Sequence, residues 1–330
     1  MKIIKKFKLL FIYVLAVFIA FNFIGNTALA DESELYVGGI PAGFTIQTQG
    51  AYVIGLSDVI TDDYIESPAK NADIRVGDII VKIGDLQIDG AKSIAKALTS
   101  ANGEPVEVTV KRDGMEIKKF VAPKKDKTGA YKLGLLLRDD LNGIGTITYF
   151  KADGEFAALG HPVLNDNGVK MDVSGGEAYL CSIIGLNKGE RGKAGELKGV
   201  FIDDVKIGKI TANKDSGLYG MADKTYDYKK LKKMTVAEAT MGKATIYTCI
   251  DGVTPKEYGI DIVKVDKGNK ENKNLVISVT DSELLKATNG ILQGMSGSPI
   301  IQNDHIVGAV THVFIGDPSR GYGISIYNMI

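Results

Sequence analysis

The chain has 330 residues, 45% of them hydrophobic and 24% charged, with 40 basic and 40 acidic side chains that cancel. Those proportions exclude a disordered polymer and leave room for two domains. The even charge balance without a basic patch excludes an electrostatic nucleic-acid binder, and two cysteines are too few for a disulfide framework.

Lys2, Lys5, Lys6 and Lys8 precede an unbroken apolar run from Leu9 to Phe21, and Ala28-Leu29-Ala30 precedes Asp31 and Glu32. A basic start, an apolar core and a small-x-small site make residues 1–30 a secretory signal, cleaved after Ala30 or retained as a short anchor. Its loss leaves 36 basic and 40 acidic side chains, a net charge of −4. Cys181 and Cys249 read as buried free thiols.

Residues 35–123 read as short strands around one helix. Val76-Gly77-Asp78-Ile79-Ile80 and Val81-Lys82-Ile83 are strand-like, Ser93 to Leu98 has helical spacing, and Val106 to Val110 alternates. Arg112-Asp113-Gly114 turns into a last strand, Ile117 to Val121. This order, with Ser67-Pro68-Ala69 ahead of it, resembles a PDZ domain of the bacterial secreted-protease type. The resemblance implies a module that captures a peptide C-terminus or an internal strand at a sheet edge. Its carboxylate loop would be Gly38-Gly39-Ile40-Pro41-Ala42-Gly43 leading into Phe44; an ordinary glycine-rich turn is the alternative.

Residues 124–130, charged and ending in Gly129, read as a linker. Residues 131–330 carry short strands with frequent glycines, the pattern of an all-β barrel or sandwich. Near the end, Gly294-Met295-Ser296-Gly297-Ser298-Pro299 lies between two apolar runs. Flanking glycines let the backbone turn tightly at Ser296, so that the amides of Gly294 and Ser296 could hold an oxyanion. A plain turn between strands is the alternative.

A serine nucleophile needs a base, and the chain has three histidines. His305 reads as an exposed hairpin tip, His312 as a hydrogen-bonded core residue of an apolar strand, and His161 as fixed between Gly160 and Pro162 at the end of an apolar run. Asp281 suits either a carboxylate partner for the imidazole or the N-cap of a short helix; Asp153, Asp166, Asp172, Asp203 and Asp204 are rivals. The scattered histidines offer no metal site, and no phosphate-binding loop is present, so no cofactor is expected.

Three stretches resemble the stage IV sporulation protein B peptidase family: Ala158-Leu159-Gly160-His161, the run from Thr280-Asp281 through Pro299, and Ile306 to Phe314 with Asp317-Pro318 and Gly321-Tyr322-Gly323. The resemblance implies a mainly β protein, an N-terminal PDZ domain (α+β) followed by a chymotrypsin-like double β-barrel. It implies nucleophile Ser296, base His161 and orienting acid Asp281, with Ser298 excluded by position. It further implies a self-cleaving secreted endopeptidase, acting between the forespore and mother-cell membranes. There it would cut a membrane-bound regulator of an intramembrane protease, so that a late mother-cell sigma factor is activated. The alternatives are a catalytically silent PDZ scaffold and a sporulation peptidase with another target.

Overall fold

Leu35–Leu56, glycine-punctuated but rich in β-branched and aromatic residues, forms a single strand of 22 residues. The computed structural model describes residues 34–165 and 168–330; the segment 1–30 that the sequence reads as a signal, and Asp166, lie outside them. Most of the first strand is buried because it is paired on both sides. One neighbour is Leu135–Phe150, in a register that sets Val37 opposite Tyr149; the other is Val173–Asn187, with Phe44 opposite Ala178. From Leu135–Phe150 the sheet continues through Glu155–Ala158, Gly217–Ala222 and Gly195–Lys214 back to Val173–Asn187. The ring therefore closes, which removes open sheet edges, and Phe44, Ile147, Phe150, Phe156 and Leu218 fill it.

A second closed barrel runs Gly242–Thr248, Lys256–Val265, Leu275–Val279, Asp317–Ser325, His305–Phe314 and Pro299–Gln302. Ile246, Ile260, Ile277, Ile300 and Val310 form its core. The hairpin of its last-named strands turns through Asn303 and Asp304, both left-handed (φ 51° and 60°), as a two-residue primed turn demands.

At Ala51 the first strand leaves its barrel and pairs with Ile79–Ile83, which leads on to Val106–Arg112 and Met115–Val121. The helix Ala91–Ala101 packs Ile94, Ala97 and Leu98 over Val53, Ile80, Val108 and Val110. Asp113 and Gly114 make the expected hairpin turn. The chain then returns: Leu135–Leu137 pairs with Val53–Leu56 before the same strand enters the first barrel.

This path corrects three expectations. The PDZ unit is inserted into the first barrel, since Tyr36–Gln47, which precede it, pair with 140–150 and Ala42–Gln47 also with 175–180; a domain starting at residue 35 and a peptidase domain confined to 131–330 do not hold. Residues 124–130 are a tight hairpin, not a loose linker: Lys125 pairs with Tyr131, and Asp126 Oδ1 accepts from the Thr128 and Ala130 amides. Finally, Gly38, Gly39, Ile40, Gly43 and Phe44 form no ligand loop. They are buried in the barrel strand, where a Cβ on Gly43 would stand 2.2 Å from the Phe201 ring. Composition alone does not distinguish a glycine-rich turn from a strand whose glycines admit close neighbours.

Candidate active site

Gly294 and Gly297 are both left-handed, at φ 97° and 94°, and fold the hexapeptide into a tight turn between Leu292–Gln293 and Pro299–Gln302. Met295 plugs the second barrel's core. Ser298 is fully buried, with Oγ 2.6 Å from the Met295 carbonyl and 2.8 Å from Thr248 Oγ1, so it has no hydroxyl to offer a substrate. Ser296 is half-buried, and its Oγ donates to the Thr311 carbonyl at 2.7 Å. Its amide has no hydrogen-bond partner among the described residues.

From the first barrel, Glu155–Ala158 ends in Leu159 and Gly160, each at φ 70°, and delivers His161 to the same cleft. Leu159 is buried, so packing holds a non-glycine residue in a conformation it disfavours, as is common beside functional groups. A Cβ on Gly160 would lie 3.0 Å from methyls of Thr311 and Ile324, which puts this turn against the hydrogen-bond partner of Ser296. The Nδ1 of His161 is 2.9 Å from the Pro162 carbonyl. A carbonyl only accepts, so Nδ1 carries the proton and Nε2 keeps its lone pair. Burial pushes the pKa of His161 below the ordinary imidazole value, opposed by the Pro162 bond.

His312 corrects the sequence reading. It faces outward, not into the core, and its ring centroid is 4.8 Å from that of His161 at an interplanar angle of 38°. Loss of water in the cleft, with the charges of His161 and Lys273, pushes it down to about 4. His305 is half-buried at the hairpin end, Nδ1 2.6 Å from Thr235 Oγ1, and takes no part in this cleft. The available signal for His312 was its place on an apolar strand with a second, outward face, close after Ser296.

Asp281 is brought to neither His161 nor Ser296. It is the N-cap of the helix Ser282–Thr288: Oδ1 accepts from the Leu284 amide at 2.9 Å and Oδ2 from the Gly259 amide at 3.3 Å. Among the described residues no carboxylate is hydrogen-bonded to His161, whose Nδ1 is taken by Pro162. Asp153 caps its own turn through the Glu155 amide, and Asp172 pairs with Lys111. Asn caps a helix as well as Asp does, whereas Asp→Asn in an orienting acid costs about 10⁴-fold in kcat. Asp281→Asn is therefore expected to keep kcat within about threefold, while Asp281→Ala loses ~1 kcal/mol of stability; kcat and thermal melts of the two variants separate the roles.

A cavity of about 830 Å³ lies where a PDZ domain seats a peptide, between helix residues Ala91, Ile94 and Leu98 and the strand Leu135–Leu137. Gly134, at φ 77° and with its Cβ direction 2.3 Å from the Ser57 carbonyl, turns the chain into that strand. The groove residues sequence reasoning missed are thus Leu133 to Leu137. Their signal was a glycine among leucines directly after the charged hairpin.

Comparison with known families agrees with this architecture. The model of the SpoIVB peptidase S55 family matches residues 129–330, and a PDZ-domain model matches 59–112. Among solved structures, the crystal structure of the Rv3671c protease in its inactive form is similar at 14% identity, over 55% of this chain and 78% of that chain, with a TM-score of 0.31. A comparison with the curated proteins finds no match. With the family model covering more than half of the chain, this protein belongs to the SpoIVB peptidase S55 family and is a serine peptidase that carries a PDZ domain.

Proposed function

We propose that Ser296 is the nucleophile and His161 the general base of an endopeptidase working by acyl transfer. The observation that carries this reading is that half-buried Ser296 bonds the Thr311 carbonyl next to His312, whose ring lies 4.8 Å from that of His161, a histidine of the other barrel whose Nε2 is unprotonated. The Ser296 hydroxyl must first rotate away from Thr311. His161 then takes its proton as Oγ bonds to the scissile carbonyl, and the amides of Gly294 and Ser296 hold the oxyanion. The imidazolium returns the proton to the leaving amine as the peptide bond breaks, and water hydrolyses the acyl-enzyme by the same cycle. The Pro162 carbonyl fixes the tautomer, the task that a carboxylate performs in many triads.

The family relationship supports assigning this activity to sporulation: a secreted, self-cleaving enzyme between the forespore and mother-cell membranes, with a membrane-bound regulator of an intramembrane protease as substrate. The groove beside Leu135–Leu137 is the site where that regulator or another peptide would dock. The test is a serine-directed fluorophosphonate on residues 31–330, with the adduct mapped by mass spectrometry. An adduct on Ser296, blocked by prior acylation with a peptide substrate, is the expected result; folded protein that neither labels nor cleaves favours the silent scaffold.

The pH profile follows from burial. Desolvation disfavours the imidazolium, so the proton leaves His161 at a lower pH than from a free imidazole. The base works only when neutral, so kcat/KM should rise with pH through that lowered value and level off by neutrality. An acid limb centred above ~6.5 would contradict the burial account.

A further inference from the structure

The two catalytic turns belong to different barrels, and what registers one against the other is a single strand, Leu135–Phe150. The Thr146 amide donates to the Ser296 carbonyl at 2.9 Å, and Thr146 Oγ1 donates to the Gly294 carbonyl at 3.0 Å. The Thr146 carbonyl accepts at 3.2 Å from the amide of Leu159, two residues before His161. One step along the same face of the strand, Thr148 Oγ1 donates to the Gly297 carbonyl at 2.8 Å. Both threonines are buried, at 2% and 0% exposure, so these bonds do not compete with water.

Three carbonyls of the nucleophile turn, those of Gly294, Ser296 and Gly297, are thus fixed from outside the turn. A carbonyl's direction sets its whole peptide plane. Anchoring the planes on either side of Met295-Ser296 therefore aims the Ser296 amide and hydroxyl at one place in the cleft. The same residue, Thr146, holds the turn that carries His161. Nothing in a β-strand's own stability requires threonine at 146 and 148; valine has the same shape and is as good a strand former.

We infer that Thr146 and Thr148 are positioning residues for the peptidase reaction: their hydroxyls set the Gly294–Ser298 turn against the His161 turn. The inference rests on the assignment of Ser296 and His161 above. Hydroxyl chemistry is the requirement, so serine should serve at both positions and valine should not.

The test compares Thr146→Val/Thr148→Val, Thr146→Ser/Thr148→Ser and Thr148→Val alone with the parent and with Ser296→Ala, reading kcat, KM, fluorophosphonate labelling rate and Tm. A misplacement on the order of 1 Å costs about 100-fold in rate. The double valine variant should lose about that much in kcat and in labelling rate, with KM within about threefold, and Thr148→Val about tenfold. The double serine variant gives up two buried methyls and should lose Tm, yet keep kcat within about fivefold. A purely structural role would instead make activity follow Tm across the set. A folded double valine variant with parental kcat, beside an inactive Ser296→Ala, overturns the inference and leaves the peptidase reading intact. An active Ser296→Ala overturns both. Should the double valine variant fail to fold, Thr148→Val with the double serine variant decides by the same split.

Discussion

His161→Ala is expected to lower kcat by roughly 10⁴- to 10⁶-fold while the protein stays folded. Among the described residues the ring's hydrogen bond is to the adjacent Pro162 carbonyl, so its removal breaks no hydrogen bond that ties the barrels together. No substitute base is at hand. His312 is close, at 4.8 Å between ring centroids, but with its pKa near 4 it holds a proton too weakly to draw one from a serine hydroxyl. Nucleophile and base act as a unit, so His161→Ala/Ser296→Ala should be no slower than either single variant. Kinetics on a peptide substrate check this, and residual activity within about 100-fold of the parent would move the base elsewhere.

Gly297→Ala should be nearly as damaging, through geometry and not chemistry. Its Cβ would stand 2.1 Å from the Thr146 carbonyl oxygen and 2.5 Å from the Leu159 nitrogen, both backbone atoms that cannot swing aside. The backbone is also left-handed there, at φ 94°, which costs a non-glycine residue about 1–2 kcal/mol. Relief requires pulling the nucleophile turn off the strand that carries both threonines, and a shift of about 1 Å is worth 100-fold or more in rate. The expected result is loss of fluorophosphonate labelling together with a lowered Tm. Gly168→Ala separates the two causes: φ is again positive, at 75°, but the Cβ meets nothing within 4 Å, so kcat should stay within about twofold. Equal loss in both variants would show that crowding against Thr146 is irrelevant.

Much of the site was legible in the residue order because it depends on local stereochemistry. Glycines at 294 and 297 announce a turn of the kind found, and the burial of Ser298 agrees with the choice of Ser296. The Gly160-His161-Pro162 setting marked a constrained turn. The helix-capping reading of Asp281, followed by Ser282, Glu283 and Leu284, matches what its two oxygens do. The carboxylate role came from resemblance, and no contact with His161 accompanies it here. His312 was misjudged because an apolar strand has two faces, and only the packed barrels decide that this one opens on a cleft.

The sequence by itself determined a β-rich chain with a PDZ-like unit and the serine and histidine turns, since alternation, turn residues and helix spacing are properties of neighbours in the chain. Tertiary structure alone decided that Gly38 to Phe44 complete a barrel, that the peptide groove lies at Leu133 to Leu137, and that Thr146 ties Ser296 to the His161 turn. Each of these depends on pairings between distant segments, as in Phe44 opposite Gly143, Val53 opposite Leu137 and Thr146 beside Gly294. Strand pairing is written in complementary shape and register between distant segments, and no segment's own composition names its partner.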